Sequence, residues 1–190
     1  MNKYLHMQTS TATHSQPVDK EVTYRSAVLS DVRKLSVLYT QCYIHAYAID
    51  GVSDEYANFI TRQFSTERLS QAVSEHPGNI IVAEYDGNLV GVVEVAFDQK
   101  CPLGELVAPE LNKLYVLQWF GSQGIGHRLL QESERLVRSK GEKQMWLWAW
   151  DQNPRAIAFY ERQGYRVVGP APCPMEQNDY VNIVMVKQLS

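Results

Sequence analysis

LYVLQWFGSQGIGHRLL, residues 114–130, starts as an apolar, strand-like run and ends in the 3.6-residue period of a helix. Between the two lie Gly121, Gly124 and Gly126. A strand that feeds a glycine-rich turn into a helix leaves several main-chain N–H groups unpaired at the positive end of the helix dipole. With no Cβ in the way, an anion can approach them closely, and phosphate is the natural guest. Two familiar phosphate motifs fail on spacing. A P-loop needs Gly-Lys-Ser/Thr, and Gly126 is followed by His127; the dinucleotide fingerprint needs a third glycine where Leu129 stands. The same pattern fits a tight strand-to-helix turn with no ligand, so the flanking sequence has to decide.

Upstream, VTYRSAVL alternates as a strand, and SDVRKLSVLYTQCYIHAYAI is an amphipathic helix with Ser30 or Asp31 as its N-cap. SDEYANFITRQF and STERLSQAVSEH each open on a serine and continue with a helical period. NIIVAEY and LVGVVEVAF flank Asp86-Gly87 and Asn88, the strongest short hairpin signal in a single sequence, and ELNKLYVL makes a third strand. Downstream, IGHRLLQESERLVRSK is a helix stopped by Gly141, and KQMWLWAW is a strand apolar on both faces. NPRAIAFYERQ is a helix begun by Asn153 with Pro154 at its first position, and YRVVG and YVNIVMVKQL are the last strands. The order predicts an α+β fold with a mixed sheet. Residues 1–20, polar and without period, read as a flexible tail, and 21–190 as a single domain.

The chain has 190 residues, 45% of them hydrophobic, and a net charge of −3 with its Lys and Arg scattered; no footprint for nucleic acid or anionic lipid follows. Cys42, Cys101 and Cys173 are odd in number and lack a CxxC pair, which speaks against a disulfide framework and against a zinc site. No run approaches the ~18 apolar residues of a membrane span, and no signal pattern opens the chain. A cytoplasmic protein is the expectation.

The glycine segment and NPRAIAFYERQGY together resemble the GNAT superfamily of acetyl-CoA-dependent N-acetyltransferases, over roughly residues 22 to 188. That family's loop runs Gln/Arg-x-x-Gly-x-Gly/Ala after a strand like LYVL, and its second signature is an Asn opening a helix that carries a Tyr. One departure is plain: Gly121 stands where the family has Gln or Arg, and Ser122 where a glycine is usual. The resemblance implies a central, mostly antiparallel seven-stranded sheet flanked by about four helices. It also implies that the fourth and fifth strands splay, so that main-chain groups at Tyr115, Val116 and Leu117 bind the pantetheine arm of acetyl-CoA. Gly121 and Ser122 then begin a diphosphate loop completed by Gln123, Gly124, Ile125, Gly126 and His127, with Asn153 reaching the coenzyme from the next helix. Tyr160 matches the family's general acid, and Glu110 stands where the histone-acetylating branch carries its catalytic glutamate. No metal is implied.

Ordinary packing explains other residues. Trp146, Trp148 and Trp150 alternate along one strand as sheet-face packing, with Trp150 able to border the acetyl pocket. His45 meets a helix end, and Glu132, Glu134, Arg135 and Arg138 read as an exposed helix face. In detail the pattern looks most like the bacterial polyamine-acetylating branch. The acidic Asp50, Asp54 and Glu55, in the segment expected over the acceptor site, suit a cationic small-molecule amine. Rival readings are acetylation of a protein N-terminus, an amino acid or an antibiotic, and a non-catalytic acyl-CoA sensor. A homodimer is the assembly to test; nucleic-acid and membrane partners are not expected.

Overall fold

The computed structural model describes residues 21–189; the expected tail, 1–20, lies outside them. Seven strands form one sheet: β1 (Thr23–Ser26), β2 (Ile80–Tyr85), β3 (Asn88–Lys100), β4 (Val107–Val116), β5 (Gln144–Trp150), β6 (Arg166–Pro174) and β7 (Asp179–Gln188). Their order is β1-β2-β3-β4-β5-β7-β6, antiparallel throughout except for the parallel β4–β5 pair. This is the mixed sheet that the order of elements predicts, and the mostly antiparallel seven-stranded form that the resemblance implies. The α-helices number five among the described residues, against about four expected: α1 (Val32–Tyr47), α2 (Asp54–Gln63), α3 (Thr66–Glu75), α4 (Ile125–Ser139) and α5 (Pro154–Arg162). None is long and apolar enough to cross a membrane.

The helices divide between the two faces of the sheet, because the alternation of β2 and β3 sends apolar side chains both ways. On one face Leu35, Leu38 and Tyr39 of α1, Ile60 of α2 and Leu69 of α3 pack on Val82 and Val92. On the other, Leu129, Leu130 and Val137 of α4 and Tyr160 of α5 pack on Val93, Leu111 and Leu147. Gly91 sets how near α4 can come. A Cβ there would stand 3.0 Å from Leu129 Cδ1 and 3.1 Å from the Tyr115 carbonyl oxygen, so only glycine lets the helix lie this close to β3 and β4.

Local signals act as the sequence suggests at most helix starts. Ser53 and Ser65 accept from the Tyr56 and Arg68 amides at 3.2 and 3.3 Å, and Asn153 Oδ1 accepts from Ala156 N at 3.0 Å. Asp31 differs. It adopts helical angles and makes no cap bond to α1; its carboxylate instead takes the Val28 amide and a two-pronged contact from Arg25. The expectation of an exposed charged face on α4 is corrected at Glu134, which is buried and receives Lys187 Nζ of β7 at 2.6 Å. Helical period alone could not anticipate a cation arriving from the last strand. Trp146 does pack as expected, and its indole N–H points at the Ala108 carbonyl, 3.1 Å away.

Candidate active site

Strands β4 and β5 pair only at Glu110↔Trp146 and Leu111↔Leu147. Beyond that point they part, and a cleft of about 570 Å³ opens between them, a volume usual for a small-molecule site. The edge of β4 is left without a strand partner. Leu117 N donates to Val90 O at 2.9 Å, so the main-chain groups of Leu117 face β3. By the alternation of an antiparallel ladder, those of Tyr115 face β3 too, while those of Val116 and Leu114 face the cleft. Of the three expected pantetheine positions, all of which line the cleft, Val116 alone turns its main chain to the open edge.

At the end of β4 a short 3₁₀ turn, Gln118–Phe120, leads into the N-terminus of α4. Gly124 precedes the helix with φ 80° and ψ −4°, left-handed backbone that glycine adopts without cost. No side chain caps this end, and the amides of Ile125, Gly126 and His127 have no partner among the described residues. They stand at the positive end of the α4 dipole. Gly121, Ser122, Gly124, Ile125, Gly126 and His127 line the cleft. Gln123 does not: its side chain folds back to donate to the Trp119 carbonyl at 3.2 Å.

Tyr160 of α5 and Asn153, which caps that helix, also line this cleft, on the β5 side, with Arg155 and Arg162. Tyr160 is buried, with its ring 5.7 Å from that of Tyr165 and 5.2 Å from that of Phe159. Burial, and the nearby Tyr47 phenol, push the Tyr160 hydroxyl well above the usual tyrosine range, so it keeps its proton at neutral pH. His45 of α1 is exposed at the cleft wall.

A second cavity, of about 660 Å³, lies across the splay and meets the first where Tyr47, Tyr115, Trp148 and Trp150 line both. Glu110 faces this second cavity rather than the first. Burial raises its carboxyl above the usual range; Lys113 pulls it back and Glu94 adds to the rise. The two groups singled out for acid and base therefore sit on opposite sides of one opening.

The sequence did not single out Tyr47, which lines both cavities and packs its ring 5.5 Å from Trp150. Nor did it signal the pair Lys113–Glu94, 3.2 Å apart, to which Tyr39 adds a hydroxyl at 3.0 Å. The acidic trio is split. Asp50 and Asp54 are exposed, whereas Glu55 is buried against the second cavity and accepts from four donors of the 177–180 segment. Those bonds hold its carboxyl below the usual glutamate range.

Comparison with known proteins agrees with this fold. An uncharacterized N-acetyltransferase of Mycobacterium tuberculosis is 24% identical over 164 residues, covering 85% of this chain and 99% of that protein. A spermidine N(1)-acetyltransferase of Thermoplasma acidophilum is 25% identical, covering 77% and 89%. Among solved structures, the PaiA N-acetyltransferase of T. acidophilum in complex with coenzyme A superposes with a TM-score of 0.71 at 24% identity, covering 88% of this chain and 99% of that one. The sequence profile described as the acetyltransferase (GNAT) family matches residues 35–165, across α1 to the end of α5. The chain belongs to the acetyltransferase (GNAT) family and is an acetyltransferase.

Proposed function

We propose that this acetyltransferase takes its acetyl group from acetyl-CoA and delivers it to the primary amine of a small cationic molecule. One observation carries the reading: the unpartnered edge of β4 leads, through the Gln118–Phe120 turn and the glycine loop after it, to a helix N-terminus whose first amides are uncapped. An extended chain bearing amides suits the first and a diphosphate suits the second, the two parts in which coenzyme A is built. Val116 and Leu114 would hold the pantetheine arm, and Gly124 to His127 the diphosphate. When bound, the coenzyme supplies an activated acetyl thioester.

The residues of this chain do the rest. Glu110, whose burial strengthens it as a base, takes the proton that frees the amine nitrogen, directly or through a water. Tyr160, protonated at neutral pH, gives its proton to the departing sulfur, so that an N–C bond forms as the C–S bond breaks. Attack is direct, with no acyl-enzyme, and Trp148 and Trp150 wall the passage between the cavities.

The Thermoplasma relative, 25% identical, is a spermidine N(1)-acetyltransferase, which makes a polyamine one acceptor class to include in the test. Thiol release from acetyl-CoA against a panel of polyamines, monoamines, amino acids and peptides tests the reading. Turnover with one amine class supports it; tight coenzyme binding with no turnover for any amine would favour a sensor instead.

A further inference from the structure

The second cavity is walled by rings from four elements. Trp150 of β5 packs on Tyr47 of α1 at 5.5 Å, Tyr47 on Tyr43 at 4.6 Å, and Tyr43 on Tyr56 of α2 at 5.9 Å. Tyr56 in turn stacks on Tyr180 of β7 at 6.3 Å, and Phe59 of α2 stacks on Tyr43 at 4.9 Å. Such a wall offers a guest broad ring faces to lie against, beside polar and charged side chains that also line the cavity.

The charges that line it are largely spent within the chain. Glu55 is saturated by the Gln177 and Asn178 amides, the Asn178 side chain and the Tyr180 hydroxyl, at 2.6 to 3.1 Å. Glu176 is held by Arg62 at 3.0 Å and Asn58 at 3.2 Å, and Lys113 is tied to Glu94. Glu110 has no hydrogen bond or ion pair among the described residues, only the longer-range pull of Lys113, so it is the one lining carboxylate whose oxygens are free to receive a guest's ammonium; Glu55 stays ionised, but neutral donors fill its oxygens. Arg68, which also lines the cavity, adds positive charge. A guest with three or four ammonium groups would find a free carboxylate for only one of them, with a guanidinium beside the rest, an arrangement that aromatic faces offset only in part.

We propose that the acceptor is a monoamine, one primary ammonium met by Glu110 and carried on an aromatic or bulky apolar body that lies against the Tyr43, Tyr47, Tyr56 and Trp150 rings. This narrows the acceptor class and rests on the acetyl-CoA reading above. It also fits the chemistry: the ammonium that Glu110 attracts is the one it deprotonates, at the mouth shared with the coenzyme cleft. Since each ring contact is made to the body and not to the charge, discrimination should appear mainly in KM.

The test uses the full chain, calorimetry with acetyl-CoA, and initial rates of thiol release with 2-phenylethylamine, butylamine and spermidine at one pH. The expected result is a kcat/KM for 2-phenylethylamine at least tenfold above those for both spermidine and butylamine. Spermidine equal or better overturns the single-charge argument, and butylamine equal overturns the role of the rings. No turnover of 2-phenylethylamine with acetyl-CoA binding intact removes the acceptor assignment alone. No heat with acetyl-CoA removes the coenzyme reading, and this inference with it.

Discussion

Replacing Gly124 by alanine separates the two roles assigned to the turn before α4. At φ 80° an L-residue carries a steric penalty of about 1–2 kcal/mol. An added Cβ meets nothing within 4 Å, so the cost is torsional and not one of overlap. With ~2–4 °C lost per kcal/mol in a chain of this size, the melting temperature should fall by about 2–8 °C. Gly124→Asn is the control, since asparagine tolerates left-handed backbone better than most residues and should recover much of the loss. Either side chain, however, intrudes on the open space beside the uncapped amides of Ile125, Gly126 and His127. Both variants should therefore bind acetyl-CoA at least tenfold more weakly, about 1.4 kcal/mol. Thermal unfolding reads the first effect and calorimetry the second. A folded Gly124→Ala or Gly124→Asn protein with wild-type affinity for acetyl-CoA would refute the assignment of a diphosphate to this turn.

Tyr160→Phe should lower kcat at least tenfold and leave acetyl-CoA affinity nearly unchanged in calorimetry; equal turnover would remove the proton-donor role. For Glu110→Gln, activity should drop near neutral pH and return in part as pH rises, because free amine becomes more abundant; in the wild type the acidic limb should lie above the usual glutamate range, since the base must be ionised and burial raises it. Glu55 is held low in the folded chain, so its contribution to stability is complete above the ordinary glutamate value and fades as pH falls through the depressed one. Acid melts should accordingly show a smaller loss between pH 5 and about pH 3 for Glu55→Gln than for the wild type. Lys187→Met leaves the buried Glu134 carboxylate without its 2.6 Å partner and with only the longer 3.9 Å ion pair to Arg138, and should cost about 1–3 kcal/mol in urea unfolding.

What the sequence made legible was local. Asp86-Gly87 turns β2 into β3, Asn153 caps α5, and the strand, glycine turn and helix of residues 114–130 lie as their periods suggest. These features are read within a few residues of one another, where turn chemistry and capping act. The strand order could not be read this way: β5 lies next to β4 and β7 next to β5, pairings between residues far apart in the chain. For the same reason the division of labour along β4 was hidden. Tyr115, Val116 and Leu117 look equivalent in sequence, yet the bond from Leu117 N to Val90 O fixes which main-chain groups face the opening. Charge was the least legible property of all. Glu55, Glu94 and Glu134 each look like surface carboxylates, and each is engaged by donors from distant elements, the 177–180 segment, Lys113 and Lys187 respectively. Glu110 is set apart by the absence of such a partner among the described residues, which no spacing rule could have revealed.

The most direct test is a crystal structure of the chain with coenzyme A. The account predicts the diphosphate against the amides of Ile125, Gly126 and His127, pantetheine amides bonded to the Val116 main chain, and the thiol sulfur within about 3.5 Å of the Tyr160 hydroxyl. A coenzyme seated elsewhere, or a sulfur out of reach of that hydroxyl with the diphosphate in place, would contradict it.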